Sequence, residues 1–456
     1  MNPIQVMISH HAHTDTDVPV VSFPKWMLKK MKIPAGYPIR LRCSNRHIQV
    51  VCLGNSAKSS LILMNPDAAQ HLGIPDQSQL HIRYAPSSRE LRLGPVLAIL
   101  INQTSDHIPF APLDTFMKEV IRLARSRYVL AYVVSLSDLI GDQGLVSGWT
   151  VSNLKWKKSS FPLPHVVYNR ITSRKVERTE AFQTMKQALA AQHIVFFNQT
   201  FLNKWEVYGH LKTNEQLARH LPETKRFESY AILGQMLQKY PVVFVKPIHG
   251  SLGKGIYRIS RGMTGFTSQY TTLNGEIHKQ FKSLHSLYQY LSKRIRRKYY
   301  IVQQGIPILH LDERAIDFRA LMQKNQRGEW AVTSMVARMG PTHRFVSNVA
   351  RGGEISSVTH ILQRCHIPQT MTVRNKLVTV AKKVCAVIER IYQGQFGELG
   401  VDLALTKNGH IYILEVNSKP SKTDDSLRPS RAARKGRPSV HRLLDYTLYL
   451  TQYDKK

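Results

Sequence analysis

Residues 397–417 restrict the fold of this chain more than any other stretch. Gly397-Glu398-Leu399-Gly400-Val401-Asp402-Leu403-Ala404-Leu405 and Ile411-Tyr412-Ile413-Leu414-Glu415-Val416-Asn417 are apolar runs of strand length, joined through Lys407-Asn408-Gly409. Asn-Gly between two such runs predicts a tight antiparallel hairpin. The hairpin sets Asp402 across from Glu415, while Glu415 and Asn417, two apart, project from one face. A carboxylate between apolar neighbours is costly without a partner, which argues against acids that simply face water. Two carboxylates and an amide carbonyl form a hard oxygen set suited to Mg²⁺.

A second run, Val242-Val243-Phe244-Val245-Lys246-Pro247, leads into His249-Gly250-Ser251-Leu252-Gly253-Lys254-Gly255-Ile256. A buried strand delivers Lys246 to its end, and the glycines let backbone N–H groups close over phosphate oxygens with no Cβ in the way. The spacing is not that of a Walker A loop, because Gly250 stands only two residues before Gly253-Lys254. On these residues alone, a flexible turn between strands fits equally well. Between the two elements lie Asp317-Phe318-Arg319-Ala320-Leu321, Arg338-Met339-Gly340 and Asn348-Val349-Ala350-Arg351-Gly352-Gly353. Guanidinium forks suit phosphoryl and carboxylate oxygens; in a chain this basic, only the grouping carries weight.

Lys and Arg total 64 against 30 Asp and Glu, a formal charge of +34. Such a surface attracts polyanions, whether nucleic acid, anionic membrane, anionic polymer or a phosphate-rich substrate. No RRM, KH or zinc-finger pattern supports nucleic-acid binding. The four cysteines, Cys43, Cys52, Cys365 and Cys385, show no CxxC spacing, which suits a reducing compartment. The first residues do not read as a secretion signal, and no apolar run is long enough to span a bilayer, so a soluble cytoplasmic protein is expected. His10-His11-Ala12-His13 with Asp15 and Asp17 reads as a disordered end rather than a metal site. The run at 293–298 and the basic stretch at 428–437 read as solvated surface.

Four units are expected: a small β-rich module over 1–90, an α/β unit over 94–200, a third over 201–425, and a basic loop with a closing helix over 426–456. In the first, strand-like runs at 18–23, 39–43, 47–53, 60–64 and 79–84 predict a barrel or sandwich. In the second, strands at 96–102 and 128–135 flank a helix at 113–126, and the cycle repeats to residue 197.

The order of a lysine before a glycine loop and acid-x-Asn after a hairpin resembles the ATP-grasp superfamily. More narrowly, Asn203-Lys204-Trp205, Leu221-Pro222-Glu223-Thr224, Ile301-Val302-Gln303-Gln304-Gly305-Ile306 and Asp317–Leu321 resemble the YheC/YheD family of endospore coat-associated proteins. The resemblance implies an α+β / α/β ATP-grasp fold, two lobes around the nucleotide, preceded by a pre-ATP-grasp domain and the β-rich module. It assigns Lys204 and Lys246 to nucleotide phosphates, and Gly250, Ser251, Gly253 and Gly255 to the loop that covers them. Gln303, Gln304, Gly305 and Ile306 would meet adenine, although Gln303-Gln304 replaces the acidic residue often found there. Asp402, Glu415 and Asn417 would hold magnesium, with Arg319, Arg338 and Asn348 near the γ-phosphate and acceptor. The implied activity is ATP-dependent ligation of a carboxylate to an amine or thiol through an acyl phosphate, linked to the spore coat. The rival readings are a non-catalytic coat-associated protein on the same scaffold and a polyanion-binding protein.

Overall fold

The structure is a computed structural model that describes residues 4–11, 18–102, 113–139, 144–250, 255–272, 275–295, 299–341, 353–422 and 436–453. Its first seven strands close a barrel in the order β1-β5-β2-β4-β3-β7-β6. They are β1 (Ile4–His10), β2 (Val20–Pro24), β3 (Pro38–Cys43), β4 (Arg46–Asn55), β5 (Leu61–Met64), β6 (Ser78–Ala85) and β7 (Glu90–Gly94). β1 corrects the expectation of a disordered beginning: it pairs with β5 and β6. His10 lies in this strand, its Nε2 3.0 Å from the Ile74 carbonyl, while His13, Asp15 and Asp17 lie outside the described residues.

Next comes a sheet of order β11-β10-β9-β8-β12-β13, built from β8 (Val96–Ile101), β9 (Leu130–Ser135), β10 (Leu145–Ser152), β11 (Lys155–Pro162), β12 (Val166–Asn169) and β13 (Val195–Phe197). β8 and β12 are buried along their whole length and pair in parallel, which is why they read as unbroken apolar runs. One face shares a core with the barrel, and the other is covered by helices Asp114–Ser126 and Pro438–Thr451. The hairpin of β10 and β11 carries a polar face and was not expected from the sequence.

The remaining strands form two further sheets. The first has the order β14-β19-β15-β16-β17-β18, with β14 (Thr224–Arg226), β15 (Val242–Pro247), β16 (Tyr257–Gly262), β17 (Gly265–Thr272), β18 (Gly275–Phe281) and β19 (Tyr300–Gln304). Helices Tyr230–Lys239 and Leu284–Arg294 pack on it. The second has the order β23-β22-β21-β24-β25, with β20 (His310–Leu311) paired to β21 (Arg314–Lys324), then β22 (Trp330–Met339), β23 (Glu354–Ser357), β24 (Glu398–Leu405) and β25 (Ile411–Asn417). Helices Lys204–Lys212, Val358–Arg364 and Thr370–Ile391 cover one of its faces.

Buried charge ties this last sheet to the β8–β13 sheet. The carboxylate of Glu398, at the start of β24, accepts from Tyr168 Oη and from Arg170 Nη1 at 3.1 Å, from Gln323 Nε2 at 3.3 Å, and from Lys422 Nζ. Burial pushes its pKa up, but Lys422 and Arg170 more than compensate, so it stays below the usual range and ionised. Arg437 is likewise held, its Nε 2.8 Å from Glu119, so this end of the expected basic loop is paired rather than solvated; residues 428–435 lie outside the described residues. Replacing Glu398 by Ala removes the shared counter-charge of two buried cations, a class of change that costs about 3–5 kcal/mol. A urea unfolding midpoint should fall accordingly; a variant within about 1 kcal/mol of wild type would show the network to be dispensable.

Candidate functional site

β25 is not a regular strand. Asp402 pairs with Glu415, but Leu403 pairs with Ile413, so Leu414 is an extra residue, a β-bulge. Strict alternation would set Glu415 on the face of Ile411 and Ile413, which belong to the core. The bulge reverses the alternation: Val416 joins that core instead, while Glu415 and Asn417 are half-buried on the other face.

Glu415 faces a cleft between the last two sheets, with about 490 Å³ of empty space that opens to solvent. One part of the lining is apolar, with Val207, Leu211, Leu221 and Ile413; the other is polar, with Lys204, Lys246, Gln303, Thr224 and Glu415. Lys204 occupies the first position of its helix. The side chain of Asn203 caps that helix by accepting from the N–H groups of Trp205 and Glu206. From there Lys204 Nζ donates to Glu415 Oε1 at 2.9 Å and to the Gly250 carbonyl at 2.6 Å. β15 carries Lys246 into the same cleft, where Nζ donates to Gln303 Oε1 at 2.6 Å. Gln303 in turn donates to Thr224 Oγ1 at 3.0 Å, which fixes its amide. Desolvation lowers the Lys246 pKa from its ordinary 10.5 to about 8; Glu415 opposes the shift and Lys204 adds to it.

Asp402 sits one strand from Glu415 within a buried quartet. In register, Arg319 faces Asp402 and Asp317 faces Arg338 across β24, β21 and β22. The Arg319 fork grips both Asp402 oxygens, Nη2 to Oδ2 at 2.9 Å. Arg338 grips Asp317 at 2.6 and 2.8 Å and reaches Asp402 Oδ2 at 3.1 Å. Burial alone would lower the Arg338 pKa, but Asp317 and Asp402 drive it upward; burial would raise that of Asp402, and Arg319 and Arg338 hold it down. Arg338 and Asp402 are thereby held in their charged forms.

The structure thus brings Lys204, Lys246, Gln303 and Glu415 together, with Gly250 attached through its carbonyl. Arg319 and Arg338 do not line this cleft; they neutralise Asp402 beside it. Asn417 pairs with Gly400 at the end of β25. The N–H groups of Gln304 and Gly305 are taken by the Glu223 and Val242 carbonyls, and the Ile306 carbonyl accepts from Ile308. Gly305 lies so close to Val242 that a Cβ would come within 2.6 Å of its carbonyl, and Gly255 has the left-handed φ of +74°. Ser251, Gly253 and Asn348 lie outside the described residues. The sequence reading missed the apolar wall from helix Lys204–Lys212, whose one signal was the pair Val207 and Leu211 four positions apart in a helix with little apolar periodicity.

The donor set fits a hard divalent cation in chemistry: Glu415 and Asp402 are carboxylates on paired strands, and the Asn417 amide lies two residues on from Glu415. Lys204 is paired with Glu415, and Arg319 and Arg338 with Asp402.

Endospore coat-associated protein YheD of Bacillus subtilis (strain 168) is 25% identical over 370 residues, covering 79% of this chain and 80% of that protein. Endospore coat-associated protein YheC of the same organism is 24% identical over 268 residues, covering 59% and 73%. Among solved structures, the D-alanine-D-alanine ligase from Coxiella burnetii aligns with a TM-score of 0.46 at 12% identity, over 79% of this chain and 96% of that one. The YheC/D like ATP-grasp family matches residues 193–450, which hold the cleft, the bulged strand and the quartet, and with more than half of its length matched the chain belongs to that family.

Proposed function

We propose that the chain binds Mg-ATP in the cleft and uses it as an ADP-forming ligase that joins a carboxylate to an amine or thiol. The observation that carries this reading is the division of the cleft lining. An apolar wall suits a purine ring, and two lysines at the polar end suit phosphates. In this reading Lys204 exchanges Glu415 for phosphate oxygens, and Glu415, Asp402 and Asn417 hold the magnesium ion. Magnesium, when bound, neutralises charge on the phosphate oxygens. Lys246, fixed by Gln303, contributes a cation that the protein has already stripped of water.

The carboxylate oxygen of the substrate attacks the γ-phosphorus and ADP leaves. An amine or thiol then attacks the carbonyl carbon of the acyl phosphate, phosphate departs, and the nucleophile's proton passes to solvent. The β-barrel and the β8–β13 sheet act in this reading as the module and pre-ATP-grasp domain that present the carboxylate. The names of the relatives support a role at the endospore coat, in a cytoplasmic protein whose basic surface meets anionic coat components. No helix among the described residues is long and apolar enough to cross a membrane.

A second reading, nucleotide binding without turnover, is favoured by one feature: both carboxylates of the proposed metal site, Glu415 and Asp402, are already paired with cations.

Titration calorimetry should find ATP binding that depends on Mg²⁺ and weakens by about 1.5–3 kcal/mol in both Lys246→Ala and Glu415→Ala. Absence of binding in the wild type would sink the nucleotide reading, and binding with no ADP formed against any carboxylate would favour the second. The Lys246 pKa adds a sign. Its ammonium is present below about pH 8 and lost above it, so ATP affinity should fall by up to about tenfold per pH unit beyond that point. Lys246→Arg should bind with little change between about pH 7 and 9; an equal pH slope in that variant would assign the titration to another group.

A further inference from the structure

Beside the cleft stands the short helix Arg174–Glu177, contributed by the segment that follows β12. The nucleotide reading does not use its cations. Glu177 is fully engaged: its carboxylate accepts from Lys419 Nζ, from Asn169 Nδ2 at 2.9 Å and from the Phe201 N–H at 2.9 Å. Glu415 is held by Lys204. Arg174 is left half-buried, its guanidinium 4.6 Å from the centroid of the Phe201 ring, with no ion pair to a carboxylate among the described residues. Lys419 Nζ lies 4.3 Å from the same centroid.

Next to Arg174, Arg178 donates to Nε2 of His249 at 3.2 Å. That bond places the lone pair of the imidazole on Nε2, so the neutral ring carries its proton on Nδ1. Nδ1 is buried and has no partner. Burial, together with Arg178 and Arg174, keeps the pKa of this histidine below its usual value, in line with a neutral ring. The half-desolvated Arg174 guanidinium and the unsatisfied buried N–H of His249 are donors without a hydrogen-bond acceptor among the described residues, which is costly, and the exposed Arg178 stands beside them with only His249 as its partner.

We propose that Arg174, Arg178 and His249 form an anion subsite that receives the carboxylate-bearing substrate, and that this substrate is an acidic peptide. Its role as a substrate rests on the ligase reading; the anion subsite stands on the geometry alone. Guanidinium forks match carboxylates in two-point contacts, and His249 immediately precedes the Gly250 carbonyl that Lys204 grips, so the subsite adjoins the proposed phosphate end of the cleft. The Phe201 ring beside Arg174 already has Arg174 and Lys419 against it, which disfavours its use for stacking a nucleic-acid base. The exposed Lys175 and the formal charge of +34 favour a partner with several negative groups over a single carboxylate.

The test is titration of hexaglutamate, without nucleotide, into wild type, R174A/R178A, and the charge-matched control K382A/K383A on the exposed face of helix Thr370–Ile391. At about 150 mM salt, wild type and control should bind hexaglutamate, and R174A/R178A about tenfold more weakly or worse. Neutral hexaglutamine should not bind, and R174K/R178K should recover part of the affinity. An unchanged thermal midpoint verifies that the double variant is folded. Binding by R174A/R178A within about twofold of wild type, or an equal loss in the control, would overturn the subsite in favour of general surface charge. So would a loss confined to a single-stranded oligonucleotide. Mg-ATP titrated into the same samples reads the nucleotide site separately: its failure in the wild type would remove the ligase reading while the hexaglutamate result still decides the anion subsite.

Discussion

A buried carboxylate joins the sheet that carries Asp402 to the β8–β13 sheet. Glu398 begins the strand that carries Asp402, yet its partners Tyr168 and Arg170 belong to β12 and the residue after it, in a different sheet. Lys422, from the segment after β25, completes the neutralisation, and Arg170 also donates to the Pro420 carbonyl. Asn198 adds the neutral version of the same link, bonding the Glu398 and Ser418 carbonyls. An isolated ion could not occupy this depth; the charges are tolerated because each sheet supplies part of the compensation. The position of helix Arg174–Glu177 beside Glu415 follows from that joint.

The same economy of charge governs the cleft. Strands as apolar as β21, β22 and β24 accept Asp317, Arg319, Arg338 and Asp402 because register sets each acid against an arginine. Three adjacent strands thereby hold a block of paired charges next to the strand of Glu415. Lys204 does for Glu415 what the arginines do for Asp402, but from a helix end at the cleft and with half the partners. The two acids differ accordingly: one is locked inside a sheet, and the other is held by a single flexible side chain that an incoming ligand can displace.

Much of this was legible in the sequence. The hairpin of β24 and β25 and the strand that delivers Lys246 follow from apolar runs and turn residues, because those signals are local. The Asp402–Glu415 pairing was also within reach. The roles of Arg319 and Arg338 were not, since a pattern of basic residues does not say which carboxylate lies in the next strand. Nor could the sequence show Lys419 beside Glu177, which are 242 positions apart and meet only through the joint at Glu398. Five of the seven barrel strands were read to within two residues, but β1 and β7 were missed, β1 because its His-rich continuation resembles an unstructured end.

The bulge at Leu414 has a consequence for how such chains are compared. Up to Ile413 the strand keeps one phase and from Glu415 onward the opposite one. A gap placed within this strand when two sequences are aligned is therefore not neutral. Pairing the strand regularly, with Leu414 taken into the ladder, leaves the letters of the acid-x-Asn motif intact while turning both side chains into the core, so a distant relative that preserves the motif can still have lost the site.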